Sequence, residues 1–195
     1  MNISSSCNPE RSSYNGLMRN AIVTFLLLAT LSAQQPKGGS SAVAFTISSP
    51  AFPSGAEIPK ANTCQGPDVS PLLTWIDQPP QTSSFALIVD DPDAPGGTWV
   101  HWVLWNIPAA THLLPENVPR SGRLQSGALQ GRNDFGRTGY NGPCPPPGKT
   151  HRYFFRLYAL DANLTLQPGA TRQELDAAMK GHIIGKAEHI GTYRR

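Results

Sequence analysis

Four places along the chain hold side chains able to do chemistry. They are Asp91 and Asp93 in the run Asp91-Pro92-Asp93-Ala94-Pro95, His101 between Val100 and Trp102, His151, and Tyr153 two residues beyond it. Histidines, a tyrosine hydroxyl and backbone N–H groups together bind an anion through directed hydrogen bonds. Imidazole adds positive charge near its reference pKa of about 6.5. Asp91 would repel a dianion, so its expected role is to hold one imidazole in the donating tautomer or to accept from the ammonium of an amphiphilic ligand. That combination suits a phosphoethanolamine-like head group. The same Asp91, His101 and His151 also form a two-histidine, one-carboxylate set able to ligate zinc or iron, or an acid–base pair for a hydrolysable substrate. Taken singly, each residue has an ordinary account as well: a turn former before proline, a hydrogen-bonded core histidine, a packed tyrosine.

The segment from Gly142 to Thr150 ends in Gly-Lys-Thr and invites comparison with a phosphate-binding P-loop. Five residues separate its glycines where the P-loop has four, and four of those five are prolines, which lack the N–H groups that cradle phosphate. A rigid pocket wall is the better reading. The nucleophile elbow GxSxG, the zinc-protease HExxH, the redox CxxC and the dinucleotide-binding GxGxxG are all missing from the sequence.

The elements that must position these residues are mostly strands. Phe45-Thr46-Ile47 and Leu72 to Trp75 read as strands, and the Pro- and Gly-broken stretch from Pro50 to Pro71 between them reads as loop with short extended pieces. Phe85 to Val89 is apolar without alternation, as in a strand buried on both faces, and it stops at Asp90-Asp91-Pro92. Val100 to Ile107 and Tyr153 to Leu160 are rich in aromatic and β-branched residues and read as central strands, each beginning beside a histidine. One helix is well signalled: Thr171-Arg172-Gln173-Glu174 matches a capping box, Leu175, Ala178 and Met179 share a face, and Gly181 ends it. A last strand is expected from Ile183 to Tyr193. The pattern is mainly β, an antiparallel sandwich or barrel with one or two short helices toward the C-terminus.

A chain of 195 residues with 15% charged residues, 18 Gly and 19 Pro suits a single domain of short strands and ordered loops. A net charge of +3 is too small for a nucleic-acid footprint. Arg120, Arg123, Arg132 and Arg137 are interrupted by Asp134 and read as a solvated loop. Near the N-terminus, Arg19 precedes an apolar run from Ala21 to Leu31, and Ser32-Ala33-Gln34 follows with small residues, as in a secretory signal peptide cleaved near Ala33. Eleven residues of helix would span only about 16 Å of a roughly 30 Å hydrocarbon core. Met18-Arg19-Asn20 opens such a signal directly, so translation is open to a start at Met18, which would remove Cys7. Residues 1–33 are thus an extension and export signal, 34–44 a flexible leader, and 45–195 the folded domain. Export to a periplasmic or external compartment would permit a disulfide between Cys64 and Cys144, provided the fold brings their Cα atoms within about 7 Å.

Several motifs occur together and in one order: Asp91-Pro92-Asp93-Ala94-Pro95, His101-Trp102 leading to Asn106, Asn133-Asp134-Phe135-Gly136, Tyr140-Asn141-Gly142-Pro143-Cys144-Pro145-Pro146, His151-Arg152-Tyr153 and Gly191-Thr192-Tyr193. In this the chain resembles the phosphatidylethanolamine-binding proteins, particularly their bacterial, Raf kinase inhibitor-like branch, over about Phe45 to Arg195. The resemblance implies antiparallel sheets packed as a Greek-key sandwich around a small surface cavity for phosphate, acetate or a phospholipid head group. It implies that Asp91, His101, Gly142, Pro143, His151 and Tyr153 line that cavity, with Asp93 and Arg152 pairing behind them. Val100 stands where animal members tend to carry a second histidine, and the loop before His151 is unusually rich in proline.

The function expected is that of a non-enzymatic binding protein, without cofactor or metal, for phosphate or a phospholipid head group. Contact with a membrane surface and assembly as a homodimer are compatible with it. A partner-binding inhibitor of a kinase or serine protease is a second reading, and a metal-assisted hydrolase or lyase built on the Asp/His/His set a third.

Overall fold

The computed structural model describes residues 44–195, which belong to one compact unit, Ser41–Arg195. The expectations for the export signal, the leader and the start at Met18 lie outside the described residues. Eight strands and one α-helix follow in the order β1 (Thr46–Ser48), β2 (Leu73–Ile76), β3 (Ser84–Asp91), β4 (Trp99–Pro108), β5 (Leu113–Leu114), β6 (Leu129–Gln130), β7 (His151–Leu160), α1 (Arg172–Met179) and β8 (Ile183–Tyr193). They form a three-stranded sheet, β1-β2-β5, and a five-stranded sheet, β6-β4-β3-β7-β8, antiparallel throughout. The chain leaves β4 and returns through β7 on the far side of β3, a long connection of the kind Greek-key wiring uses.

Every residue of β3 is buried, because both faces of the large sheet are covered. On one face Phe85, Leu87, Val89, Trp102, Leu104, Phe155 and Leu157 pack against Ile47, Leu73, Trp75 and Leu114 of the small sheet. On the other, Ala86, Ile88, Val103 and Trp105 pack against Leu164, Leu175 and Met179. A strand covered on both sides has no polar face to show, hence the unbroken apolar run.

The helix begins at the expected cap: Thr171 Oγ1 accepts from the Glu174 N–H while the Glu174 carboxylate accepts from the Thr171 N–H. Asp90, buried on this face, accepts from Arg172 at 2.7 Å and Arg156 at 3.3 Å and so ties α1 to the sheet. The single α-helix among the described residues settles the one-or-two expected. The Pro50–Pro71 stretch adds a short 3-10 turn, Lys60–Asn62, where loop was expected. The two-residue strands β5 and β6 were not foreseen.

Candidate functional site

The pleat of β3 separates its two terminal carboxylates. Asp90 faces α1, and Asp91, with the parity of Val89 and Leu87, faces the other way at the end of the strand. β7 runs antiparallel beside it with Asp90 opposite Phe154, which brings Asp91 among His151 and Tyr153. On the opposite flank the pairing of β3 with β4 passes from Val89↔Trp102 to Asp90↔Val100, so His101 is the extra residue of a β-bulge. Two residues apart, Val100 and Trp102 therefore pack into opposite cores. The bulge re-aims His101 toward the Asp91 end of β3, a common use of bulges beside sites.

The result is a cavity of about 240 Å³ lined by Asp91, His101, His151 and Tyr153, with Trp99 and Phe135 on one side and Pro145 and Pro146 on another. At roughly 30 Å³ per water it has room for about eight waters, enough for a small anion or head group. The proline-rich segment does supply wall, as expected of it. Gly142 and Pro143, expected on the lining, lie behind it. The Gly142 N–H donates to Asp68 Oδ1 at 2.7 Å, a Cβ there would stand 2.1 Å from the Asn62 carbonyl oxygen, and the Pro143 carbonyl accepts from the Cys64 N–H. Cys64 and Cys144 are joined by a disulfide with their Cα atoms 5.4 Å apart, anchoring this wall to the Lys60–Asn62 turn region.

Each polar group in the cavity has a defined hydrogen-bonding sense. Asp91 Oδ2 accepts from His151 Nδ1 at 2.8 Å, and its Oδ1 accepts from the Asp93 N–H. His101 Nδ1 lies 2.7 Å from the Asn141 carbonyl oxygen, which can only accept, so Nδ1 carries the hydrogen. In the neutral ring Nε2 is then a bare acceptor. Burial holds His101 below the ordinary imidazole range and keeps it neutral at neutral pH. In that neutral form His101 offers Nε2 as an acceptor, while the Nδ1 of His151 is committed to Asp91. Neither Nε2 has a partner among the described residues.

The Tyr153 hydroxyl is fully buried with no hydrogen-bond partner of normal geometry. Burial, and then the charge of the neighbouring Asp91, push it above the usual phenol range, so it stays an O–H donor. Outside the cavity Arg152 clasps Asp93 through Nε and Nη2, both at 2.8 Å, as expected, and this holds the Asp93 carboxyl at about 2.

Three supporting residues escaped the sequence reading. Asp68, with a left-handed φ of 59°, accepts from Gly142 N, Asn141 Nδ2 and Arg120 Nη2, and so fixes the backbone whose carbonyl holds His101. In the sequence it falls within the Pro50–Pro71 stretch read as loop with short extended pieces. Phe135 stacks edge-on against His101, 5.3 Å between centroids, and against Trp99 at 5.5 Å. Asn133 donates to the Gly139 carbonyl and to Asn141 Oδ1 and closes the turn that carries Phe135. The motif signal for Asn133 and Phe135 was present, but their contacts were not readable. His182, which had no assignment, pairs with Asp161 away from the cavity.

Among the described residues no group of three or more His, Cys, Asp or Glu is arranged to hold a metal ion. A larger and more apolar cavity of about 480 Å³ lies at the other end of β4 around Ile107, Leu113, Leu114, Val118 and Leu124. It gathers no titratable cluster of the kind found in the smaller one.

Fold and cavity together define a class: a two-sheet antiparallel β protein with a small buried-histidine pocket at the end of its central strands. Residues 48–194 match the family model described as phosphatidylethanolamine-binding protein, and the chain belongs to that family. A UPF0098 protein of Methanothermobacter thermautotrophicus is 54% identical over 145 residues, covering 74% of this chain and 95% of the relative. One from Aquifex aeolicus is 50% identical over 151 residues, 76% and 88%. Among solved structures, Escherichia coli YbcL, described as a new member of the mammalian PEBP family, superposes with a TM-score of 0.74 at 36% identity, covering 78% of this chain and 99% of its own. A Chlamydia trachomatis homologue of the phosphatidylethanolamine-binding proteins does so with 0.71 at 42%, covering 78% and 98%.

Proposed function

We propose that the chain is an exported, non-enzymatic binding protein whose cavity at Asp91, His101, His151 and Tyr153 takes phosphate or a phosphorylated head group. The observation that carries this reading is the Tyr153 hydroxyl, a buried donor beside the cavity whose one neighbouring acceptor, the Asp91 carboxylate, lies outside normal hydrogen-bond geometry. Leaving such a group unpaired costs about 1–3 kcal/mol, which a bound oxyanion would offset. The Asp91–His151 pair supports it: the carboxylate accepts from Nδ1 and so fixes the orientation of the ring at the cavity, leaving Nε2 without a partner among the described residues. The absence of an aligned nucleophile favours binding over catalysis. Among the described residues neither Nε2 has a Ser, Thr or Cys partner, and Cys144 is committed to the disulfide. That disulfide also supports export to an oxidising compartment.

The test is calorimetric titration with phosphate and O-phosphoethanolamine at pH about 6 and about 8, either side of the ordinary imidazole range. Binding should be tighter at the lower pH, because an imidazolium donates from both ring nitrogens, and His151→Ala should weaken it by at least about tenfold. Equal affinity in wild type and His151→Ala would remove the cavity from consideration.

A further inference from the structure

The cavity of about 480 Å³ lies six residues along β4 from His101, roughly 20 Å of strand, and shares no lining residue with the histidine cavity. Its buried lining is apolar: Ile107, Leu114 and Val118, with Leu124 partly buried beside them. Leu113, 49% exposed, carries that surface outward to solvent. The walls are held from behind. Gln130, fully buried, donates from Nε2 to the carbonyl oxygens of Pro119 and Ser121 at 2.7 Å each, while its Oε1 accepts from Trp102 Nε1. The Ser70 Oγ accepts from the Val118 N–H at 2.9 Å, and its carbonyl accepts from the Asn117 N–H. The segment 117–121 cannot fall into the space without leaving these buried polar groups unpaired. A pre-formed apolar concavity within the roughly 300–1,000 Å³ of small-molecule sites is the result.

The charge in this lining has one sign. Among the described residues it holds Arg123 and no Asp, Glu or Lys. The Arg123 guanidinium reaches only the Gly127 carbonyl, at 3.5 Å, and pairs with no carboxylate among the described residues. Ser126 Oγ, also in the lining, accepts from the Ala128 N–H and keeps its own hydrogen to donate. We propose that this second cavity binds a monocarboxylate with an unbranched apolar chain, the chain lying along Ile107, Leu114, Val118 and Leu124 and the carboxylate on Arg123. A planar guanidinium matches a carboxylate through two parallel N–H···O bonds, and one cation balances one anion. A cationic amphiphile of the same length would set like charges together, and each methylene buried on the apolar lining adds to affinity whatever the head.

The experiment titrates the full chain calorimetrically at pH about 7.5 with hexanoate, octanoate, decanoate and octyltrimethylammonium, each below its micellar concentration. Affinity for the carboxylates should rise roughly tenfold for each two-carbon step, and octanoate should bind at least about fivefold more tightly than octyltrimethylammonium. In Arg123→Gln the preference for the anion should disappear while the dependence on chain length stays. In a proton–carbon correlation spectrum decanoate should shift the methyl signals of Leu114, Val118 and Leu124 and leave the imidazole signals of His101 and His151 in place. Failure of decanoate to bind, octyltrimethylammonium bound as tightly as octanoate, or shifts confined to the two imidazoles would each overturn the proposal. So would a dimer of the chain that Leu113→Glu disperses and decanoate does not, which would assign this surface to a second copy. Arg123 is exposed and Leu113 half-exposed, so neither substitution removes a core contact, and the wild-type series decides by itself if either variant fails to fold.

Discussion

Asp91 holds one imidazole, accepts the N–H that turns the chain after β3, and places a negative charge beside the ligand, all from one buried side chain. Replacing it with alanine strands the His151 Nδ1–H and should destabilise the fold by about 1–3 kcal/mol in urea denaturation while also weakening phosphate binding. His101 and His189 are both buried and both held below the ordinary imidazole range, burial being the first cause in each. The unfolded chain takes up protons at these positions before the folded one does. Stability is therefore fully present above the ordinary imidazole value of 6.5 and is lost as pH falls below it toward the depressed folded values. Thermal unfolding at pH about 7.5 and about 5 checks this, and the loss should shrink in His189→Leu. The four cavity side chains were readable because each is a chemically able residue at or near a strand end. Asp68 was not, since its partners lie 52 to 74 residues away and nothing in a Gly-Pro-Asp turn announces them.

At the scale of elements, the site depends on a bulge and on a loop anchored from outside. The bulge takes His101 out of the alternation of β4, so a periodic pattern cannot reveal it; only the pairing register does. The strands β3, β4, β7 and β8 and the helix were legible because each presents a long apolar or capped signal. The two-residue strands β5 and β6 carry too few residues for any period and exist only because β2 and β4 offer them an edge. The Asp68 carboxylate is the link between the loop and the ring. Asp68→Ala should weaken phosphate binding with no change in any residue that touches the ligand, and it should abolish the pH-stable tautomer signal of His101. Gly142→Ala should destabilise more than an ordinary Gly→Ala change, because its Cβ would meet the Asn62 carbonyl at 2.1 Å.

Over the whole molecule, the large sheet is buried between a small sheet and a helix, and the cavity opens where three of its strands begin or end together. The disulfide closes a loop of about eighty residues across this end. By loop entropy alone it stabilises the fold by roughly 4 to 5 kcal/mol. Reduction, or Cys64→Ser with Cys144→Ser, should lower unfolding stability by about 2–5 kcal/mol and reduce phosphate affinity, because Cys144 is part of the wall. The mainly β architecture was legible from strand spacing and the two-sided burial of β3 from the unbroken apolar run Phe85 to Val89, whereas what covers each face needed the three-dimensional contacts. The most direct test of the anion cavity is a long-range proton–nitrogen correlation spectrum of the imidazole rings with and without phosphate. Phosphate should move the Nε2 signals of His101 and His151, leave His101 in its Nδ1–H form, and leave the surface rings of His112 and His182 unchanged. Signals from His101 and His151 that do not respond at saturating phosphate would contradict the assignment of this cavity as the binding site.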